Sequence, residues 1–305
     1  MPRRYTNLND VSNKKNFRDM LKWMKERRGK VKDLAFSIEQ CPDKKIAEIK
    51  ENREKTSYTW IGHSTFLIQM NGLNILTDPV WAKRMGVQKR LTEPGIPLKE
   101  LPNIDAVIIS HAHYDHLDFP TLKQLKGIPH YFVPAGLKTL FNRKGYQNVT
   151  EMNWWEYRQY KDVTFHFVPA QHWTRRSLRD MNTSHWGGWI LQGTAPSDTM
   201  YFVGDTGYFD GFKEIGSKFN IDTVFMPIGA YEPEWFMADS HISPEDSVQA
   251  FIELKAKTFV PMHYGAYRLA DDTGPEALDR LVKEWKSKKL PVEKLRALRI
   301  GESFI

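Results

Sequence analysis

The sequence predicts a mixed α/β layered protein, one compact body preceded by a basic extension. Three observations carry this. From Tyr58 onward, short apolar runs rich in β-branched and aromatic residues alternate with helix-period stretches. No short-period repeat or low-complexity linker splits that part of the chain. The charge is also lopsided: residues 1–55 hold 16 of the 44 Lys and Arg but only 9 of the 37 Asp and Glu, which leaves the remainder charge-balanced. The expected division is an extension at 1–55 and a body at 56–305. With 305 residues, 41% of them hydrophobic and 27% charged, the chain is long and apolar enough to bury a core.

The extension holds one readable helix, Asn16–Arg28. Phe17, Met20, Leu21 and Met24 recur at i, i+3, i+4 and i+7, and Gly29 supplies a stop. Trp23 flanks this stripe, with Arg18, Lys22, Lys25, Arg27 and Arg28 on the other faces. The favoured expectation is that the stripe packs on the body while the charges are solvated. The competing one is that the helix lies in an anionic membrane interface.

In the body, Tyr58–Gln69 reads as strand, Asn71-Gly72 as a type I′ turn and Leu73–Thr77 as the return strand. Further strands are expected at Ala106–Ser110, Tyr131–Val133, Val163–Pro169, Trp186–Leu191, Met200–Gly204, Thr223–Pro227 and Thr258–Met262. Helices are expected at Pro120–Lys126, Leu137–Lys144, Phe212–Phe219, Pro244–Leu254 and Pro275–Lys286. No apolar run approaches the roughly 18 residues of a membrane span, and Met1–Asn16 lacks the apolar core of a secretory signal. The single cysteine, Cys41, excludes an internal disulfide and a Cys-based zinc site, and suits a reducing compartment. A cytoplasmic protein is expected, with peripheral contact at the inner face of the membrane through residues 1–55 as the further option.

The chemistry concentrates in Ser110-His111-Ala112-His113-Tyr114-Asp115-His116-Leu117-Asp118, which begins where an apolar strand ends. Three imidazoles and two carboxylates so close together are costly unless divalent cations compensate, and neutral imidazole with carboxylate suits zinc, manganese or iron. His111 and His113, two apart in extended backbone, can converge on one metal, and Asp115 and His116 can face a second. Further donors are expected just past other strands: His172 after Val163–Pro169, Asp205 after Met200–Gly204 and His263 after Thr258–Met262.

These residues resemble the metallo-β-lactamase superfamily of dinuclear hydrolases. Within it the chain is most similar to the N-acyl-phosphatidylethanolamine-hydrolysing phospholipase D family. That likeness rests on segments such as Trp60-Ile61-Gly62-His63-Ser64-Thr65, Thr77-Asp78-Pro79, Asn153-Trp154-Trp155-Glu156, Gln171-His172-Trp173, Gly204-Asp205-Thr206-Gly207 and Tyr231-Glu232-Pro233. Residues 1–55 and the loop Trp81–Pro97 depart from the family pattern. The resemblance implies an αββα sandwich with two sheet-and-helix halves meeting at the metal edge. It assigns His111, His113 and His172 to one metal and Asp115, His116 and His263 to the other, with Asp205 bridging. It also implies two divalent ions, zinc first and manganese or iron as alternatives. The implied reaction is hydrolysis of a lipid phosphodiester by a metal-bridging hydroxide.

Asp115, besides ligation, is expected to take the nucleophile's proton. His241 precedes a helix capped by Ser243 and matches a family active-site histidine; the other reading is a surface loop residue. Arg176 suits phosphate through its guanidinium fork, or forms a solvated pair with Arg175. Trp154, Trp155, Trp173, Trp235 and Phe236 line an acyl groove or serve as core. His63 is read as making a structural hydrogen bond, His130, His166 and His185 as non-ligands, and Glu232 and Asp118 as supporting residues. The expected partner is a phospholipid or small phosphodiester, with self-association left open. Nucleic acid is disfavoured by the neutral body. A lactonase or other carboxylic-ester hydrolase is the alternative activity, and a non-catalytic binding protein acting through the extension is the third.

Overall fold

The computed structural model describes residues 3–8, 11–12, 15–30, 37–195 and 198–304. Two mixed sheets face one another across a large aromatic core. The first is built from β1 (Ser57–Gly62), β2 (Thr65–Met70), β3 (Leu73–Thr77), β6 (Ala106–Ile108), β7 (His130–Pro134), β8 (Val149–Met152) and β15 (Ser303–Phe304), in the order β15-β1-β2-β3-β6-β7-β8. The second runs β14-β13-β12-β11-β10-β9 and comprises β9 (Tyr157–Tyr160), β10 (Val163–Val168), β11 (Gly188–Gln192), β12 (Thr199–Phe202), β13 (Thr223–Pro227) and β14 (Thr258–Met262). A small ribbon, β4 (Arg84–Met85) with β5 (Gln88–Lys89), stands apart. Each sheet joins antiparallel strands to a parallel run: β3, β6, β7 and β8 in the first, β12, β13 and β14 in the second.

Strand alternation explains why these segments are apolar throughout. In β2, Phe66 and Ile68 enter the core between the sheets while Leu67 points to the outer layer; in β6, Ala106 and Ile108 face inward and Val107 outward. Both faces of the first sheet are therefore buried. Its outer layer includes α2 (Ile46–Glu51), α3 (Phe119–Leu122) and α4 (Lys138–Arg143), which contribute Ile49, Leu122 and Phe141. On the second sheet, α5 (Gly211–Lys218), α7 (Pro244–Leu254) and α8 (Gly274–Ser287) bury Phe212, Phe251, Leu281 and Trp285. The short α6 (Glu234–Met237) precedes α7. This is the expected αββα arrangement.

The elements depart from expectation in informative ways. Tyr58–Gln69 is two strands, because the chain reverses at His63 and Ser64 with Gly62 at φ +126° and His63 at φ +56°. Asn71 and Gly72 take φ of +46° and +74°, as a type I′ turn requires. The helix in the extension, α1 (Phe17–Gly29), is closed by a reciprocal Asn16–Asp19 capping box. Its packing overturns the favoured expectation. Phe17 is 76% exposed and Met20, Leu21 and Met24 are 41–49% exposed. The face that docks carries Trp23 and Arg27, both of which reach Asp271, with Trp23 also on Phe236 at 4.9 Å. Paired polar and aromatic contacts on the body hold that face, so the aliphatic stripe points away.

The extension is joined to the body elsewhere too. Gln40 bridges Ile300, Lys30 pairs with Glu232 at 2.6 Å, and Tyr5 stacks on His185 at 4.4 Å.

His185 is enclosed between Tyr5 and Trp154, and burial with nearby Arg3 lowers its pKa to about 3. The unfolded chain binds a proton there near pH 6.5 while the folded chain does not, so this residue makes the fold less stable as pH falls from about 6.5 toward 3. The contribution is about 1.4 kcal/mol per pH unit within that window. Urea unfolding of wild type and His185→Gln across pH 7 to about 4.5 is expected to show a shallower loss of stability in the variant.

Candidate metal centre

The donors gather along one edge, where strands of both sheets end. His111 to His116 lie on the loop that follows β6. His172 follows β10, Asp205 follows β12 and His263 directly follows β14. All seven expected ligands meet there.

Two groups are distinguishable. His111 Nε2 lies 2.9 Å and His172 Nε2 3.2 Å from His113 Nδ1, so these three nitrogens converge. Beside them, His116 Nε2 and His263 Nε2 lie 3.4 and 3.6 Å from Asp115 Oδ2. Asp205 stands between the groups, with Oδ2 3.1 Å from His263 Nε2, 3.2 Å from His116 Nε2, and 3.9 Å from both His111 Nε2 and His172 Nε2.

The donor set fits divalent cations. His116 Nε2, His263 Nε2 and Asp205 Oδ1 are buried without a hydrogen-bond partner. His116 and His263 approach the carboxylates closely, yet their Nε2 atoms are not in hydrogen-bonding alignment. Side chains aimed at a shared point rather than at one another are what metal ligation requires.

Electrostatics differ between the groups. Burial and the surrounding imidazoles hold His111 well below the ordinary value, and burial does the same for His172. Burial brings His113 down to about 4 despite Asp115 and Asp205. These are neutral imidazoles ready to donate a lone pair. At the second group burial opposes charging, but Asp205 and Asp115 overcome it, lifting His116 well above the ordinary value and His263 to about 9. Burial likewise works against ionisation of Asp205, yet His116 and His263 hold it well below the carboxylate range. The two carboxylates create a field that favours positive charge there.

The outer nitrogens are held in place. Asp78 lies 2.6 Å from His116 Nδ1 and accepts the Ser110 N–H at 2.7 Å; Ser110 Oγ lies 2.9 Å from His111 Nδ1; and the Ser240 carbonyl lies 2.9 Å from His172 Nδ1. Such contacts fix ring orientation and tautomer. Asp78 was not among the expected site residues. Its signal was a carboxylate immediately after Leu73–Thr77, the same placement that marks Asp205.

Other expected residues divide. His241 reaches the site, with Nδ1 3.8 Å from Asp205 Oδ2, on the segment before α7, where Ser243 caps the helix. Burial lowers it to about 4. Trp173 sets its ring 4.5 Å from that of His113. Arg176 is committed to the metal loop: its guanidinium donates to the Ala112 and Leu117 carbonyls at 2.7 and 2.9 Å and lies 4.0 Å over the Tyr114 ring. Trp154 bonds the Trp186 carbonyl and packs on His185, while Trp235 and Phe236 meet α1. Trp155 is 38% exposed and lies near Lys218. Asp118 caps α3. His63 comes closer than expected: its hydrogen bond is to Asp115, at 3.2 Å, and burial and His263 bring it down to about 3.

A cleft of about 570 Å³ opens over the donors, walled by Met85, Tyr114, Trp173, Met237, His241 and Leu269. Its size suits an organic substrate, and its wall is largely apolar around a few polar groups.

Comparison with known proteins agrees with this geometry. The model of the β-lactamase superfamily domain matches residues 73–264. The chain is 39% identical to N-acyl-phosphatidylethanolamine-hydrolyzing phospholipase D 1 of Caenorhabditis elegans, over 68% of this chain and 64% of that protein. It is 34% identical to the mitochondrial N-acyl-phosphatidylethanolamine-hydrolyzing phospholipase D of Saccharomyces cerevisiae, over 74% and 52% respectively. The match thus spans less than two thirds of these relatives' length. The metallo hydrolase Igni18 of Ignicoccus hospitalis shares the fold at a TM-score of 0.62 and 22% identity, over 82% of this chain and 97% of that one. With the superfamily model covering most of the body, its donors gathered at the sheet edge, the chain belongs to the β-lactamase superfamily and carries its metal-dependent hydrolase fold.

Proposed function

We propose that the protein is a dinuclear metal-dependent phosphodiesterase of phospholipase D type, acting on an N-acylphosphatidylethanolamine-like lipid or related phosphodiester. The observation that carries this is Asp205 standing between two groups of donors beneath a largely apolar cleft. The sequence likeness to two lipid phosphodiesterases supports the choice of bond.

His111, His113 and His172 would hold one ion, and Asp115, His116 and His263 the other, with Asp205 standing between them. Zinc is the first choice, and the all-nitrogen-and-oxygen set also admits manganese or iron. When bound, the pair supplies Lewis acidity toward a phosphoryl oxygen and makes water a competent nucleophile near neutral pH. Asp115 orients the attacking water and accepts its proton. His241, neutral at pH 7, hydrogen-bonds a phosphoryl or leaving-group oxygen. Water adds at phosphorus, the bond to the N-acylethanolamine oxygen breaks, the proton taken by Asp115 passes on to that departing oxygen, and phosphatidate remains. Trp173 walls the path of an acyl chain, while Arg176, expected to meet phosphate, instead holds the loop that carries Tyr114 and Asp115.

The extension brings this cleft to a lipid surface. α1 leaves Phe17, Met20, Leu21 and Met24 exposed, flanked by Arg18, Lys25 and Arg28, while its Trp23 packs on Phe236, next to Met237 of the cleft wall. An apolar stripe among cations matches an anionic bilayer interface. Among the described residues no helix is long and apolar enough to cross a membrane.

Three measurements test these assignments. Metal-replete protein is expected to cleave bis(p-nitrophenyl) phosphate and N-acylphosphatidylethanolamine but not acyl lactones. Preferential lactone turnover would move the reading to carboxylic-ester hydrolysis, and fewer than about one equivalent of transition metal would end it. His241→Ala is expected to lower kcat about 100-fold with metal content unchanged by elemental analysis. Phe17→Ser with Leu21→Ser is expected to abolish co-sedimentation with phosphatidylglycerol-containing vesicles while turnover of bis(p-nitrophenyl) phosphate stays at the wild-type rate.

A further inference from the structure

We infer that His63 is a positioning residue for the second metal, acting through Asp115 and His263. The inference rests on the two-metal reading above and extends it to a residue outside the seven ligands. His63 enters from the other sheet: it occupies the turn between β1 and β2, whereas His263 directly follows β14. It is only 1% exposed.

Three contacts define its role. His63 Nε2 lies 3.2 Å from Asp115 Oδ2, the oxygen that faces His116 and His263. A carboxylate only accepts, so Nε2 carries the hydrogen. The His63 ring lies 4.2 Å from the His263 ring, and Tyr267 closes the opposite side edge-on at 5.4 Å. The His63 carbonyl also accepts the His263 N–H at 3.2 Å and Trp60 Nε1–H at 3.0 Å. One residue thus anchors the side chain of one donor and both the ring and the backbone of another.

The backbone carries a cost that this role explains. His63 holds φ at +56°, a left-handed conformation uncommon outside glycine, and residues in that state persist where their surroundings over-determine them. Here the surroundings are the two donors. Without His63, Asp115 keeps its place on the loop but loses the hydrogen bond that selects one rotamer. His263 loses the ring it packs against. His111 and His172 have their own supports in Ser110 and the Ser240 carbonyl, so the first group is unaffected.

The test is a titration of metal-free protein with Co(II), followed by calorimetry and by visible absorption of the bound ion. Wild type is expected to take two equivalents. His63→Ala is expected to keep the affinity of one site, weaken the other about 10–100-fold and alter the absorption of that site alone. His63→Gln, which returns an N–H near the same point, is expected to recover most of the affinity. His63→Phe, which refills the volume without a donor, is not. Circular dichroism and urea midpoints follow folding, and should the alanine variant fail to fold, the Gln and Phe pair decides. Unchanged affinities in His63→Phe, or equal weakening of both sites, would overturn the inference. Wild type that binds fewer than two equivalents would instead overturn the two-metal reading and this inference with it.

Discussion

The architecture turns on one unfavourable arrangement. Asp115 and Asp205 are carried away from bulk water into a nest of imidazoles, where several nitrogens and one carboxylate oxygen have no partner. Burying such groups together costs free energy that apolar packing does not return, and counter-charge offsets it. Asp115 and Asp205 thus make the second group a place that favours positive charge.

Rigidity comes from the sheets. Each donor stands within a few residues of a strand buried in the aromatic core, so none depends on a long flexible loop for position. The exception is the segment from His111 to His116, and it is braced at both ends by Arg176 on the Ala112 and Leu117 carbonyls and from beneath by Asp78 through Ser110. A guanidinium spent on backbone carbonyls fixes the loop that carries four of the seven proposed ligands. The apolar cleft can then vary around a fixed centre.

Much of this was legible in the sequence because a local rule produced it. The His111 cluster announces itself by density, and Asp205 and His263 by standing just past apolar strands. The turn at Asn71-Gly72 follows from a two-residue preference. What escaped was set by distant contacts. His63 was legible as a residue with a structural hydrogen bond, but its partner was not, because nothing near it in sequence reveals that the chain reverses there and meets the end of β14. The α1 stripe was expected to pack, but Asp271, Phe236 and Trp235, more than 200 residues away, secure the other face. The short strands β8, β9 and β15 carry weak patterns and exist because a neighbour's edge pairs with them.

The Asn7 side chain shows how far such distant contacts reach. Its Oδ1 accepts the backbone N–H of His172 and the indole N–H of Trp186, both at 2.9 Å, so an amide from near the start of the described chain supports one of the proposed metal ligands. Net charge separates the chain near residue 55; hydrogen bonding does not. Trimming along the charge boundary would strip this amide from His172, leaving a peptide group to find water or stay unsatisfied at a cost of about 1–3 kcal/mol. The basic extension is thereby a structural part of the donor cluster's floor, and shortening it would loosen that floor whatever the substrate.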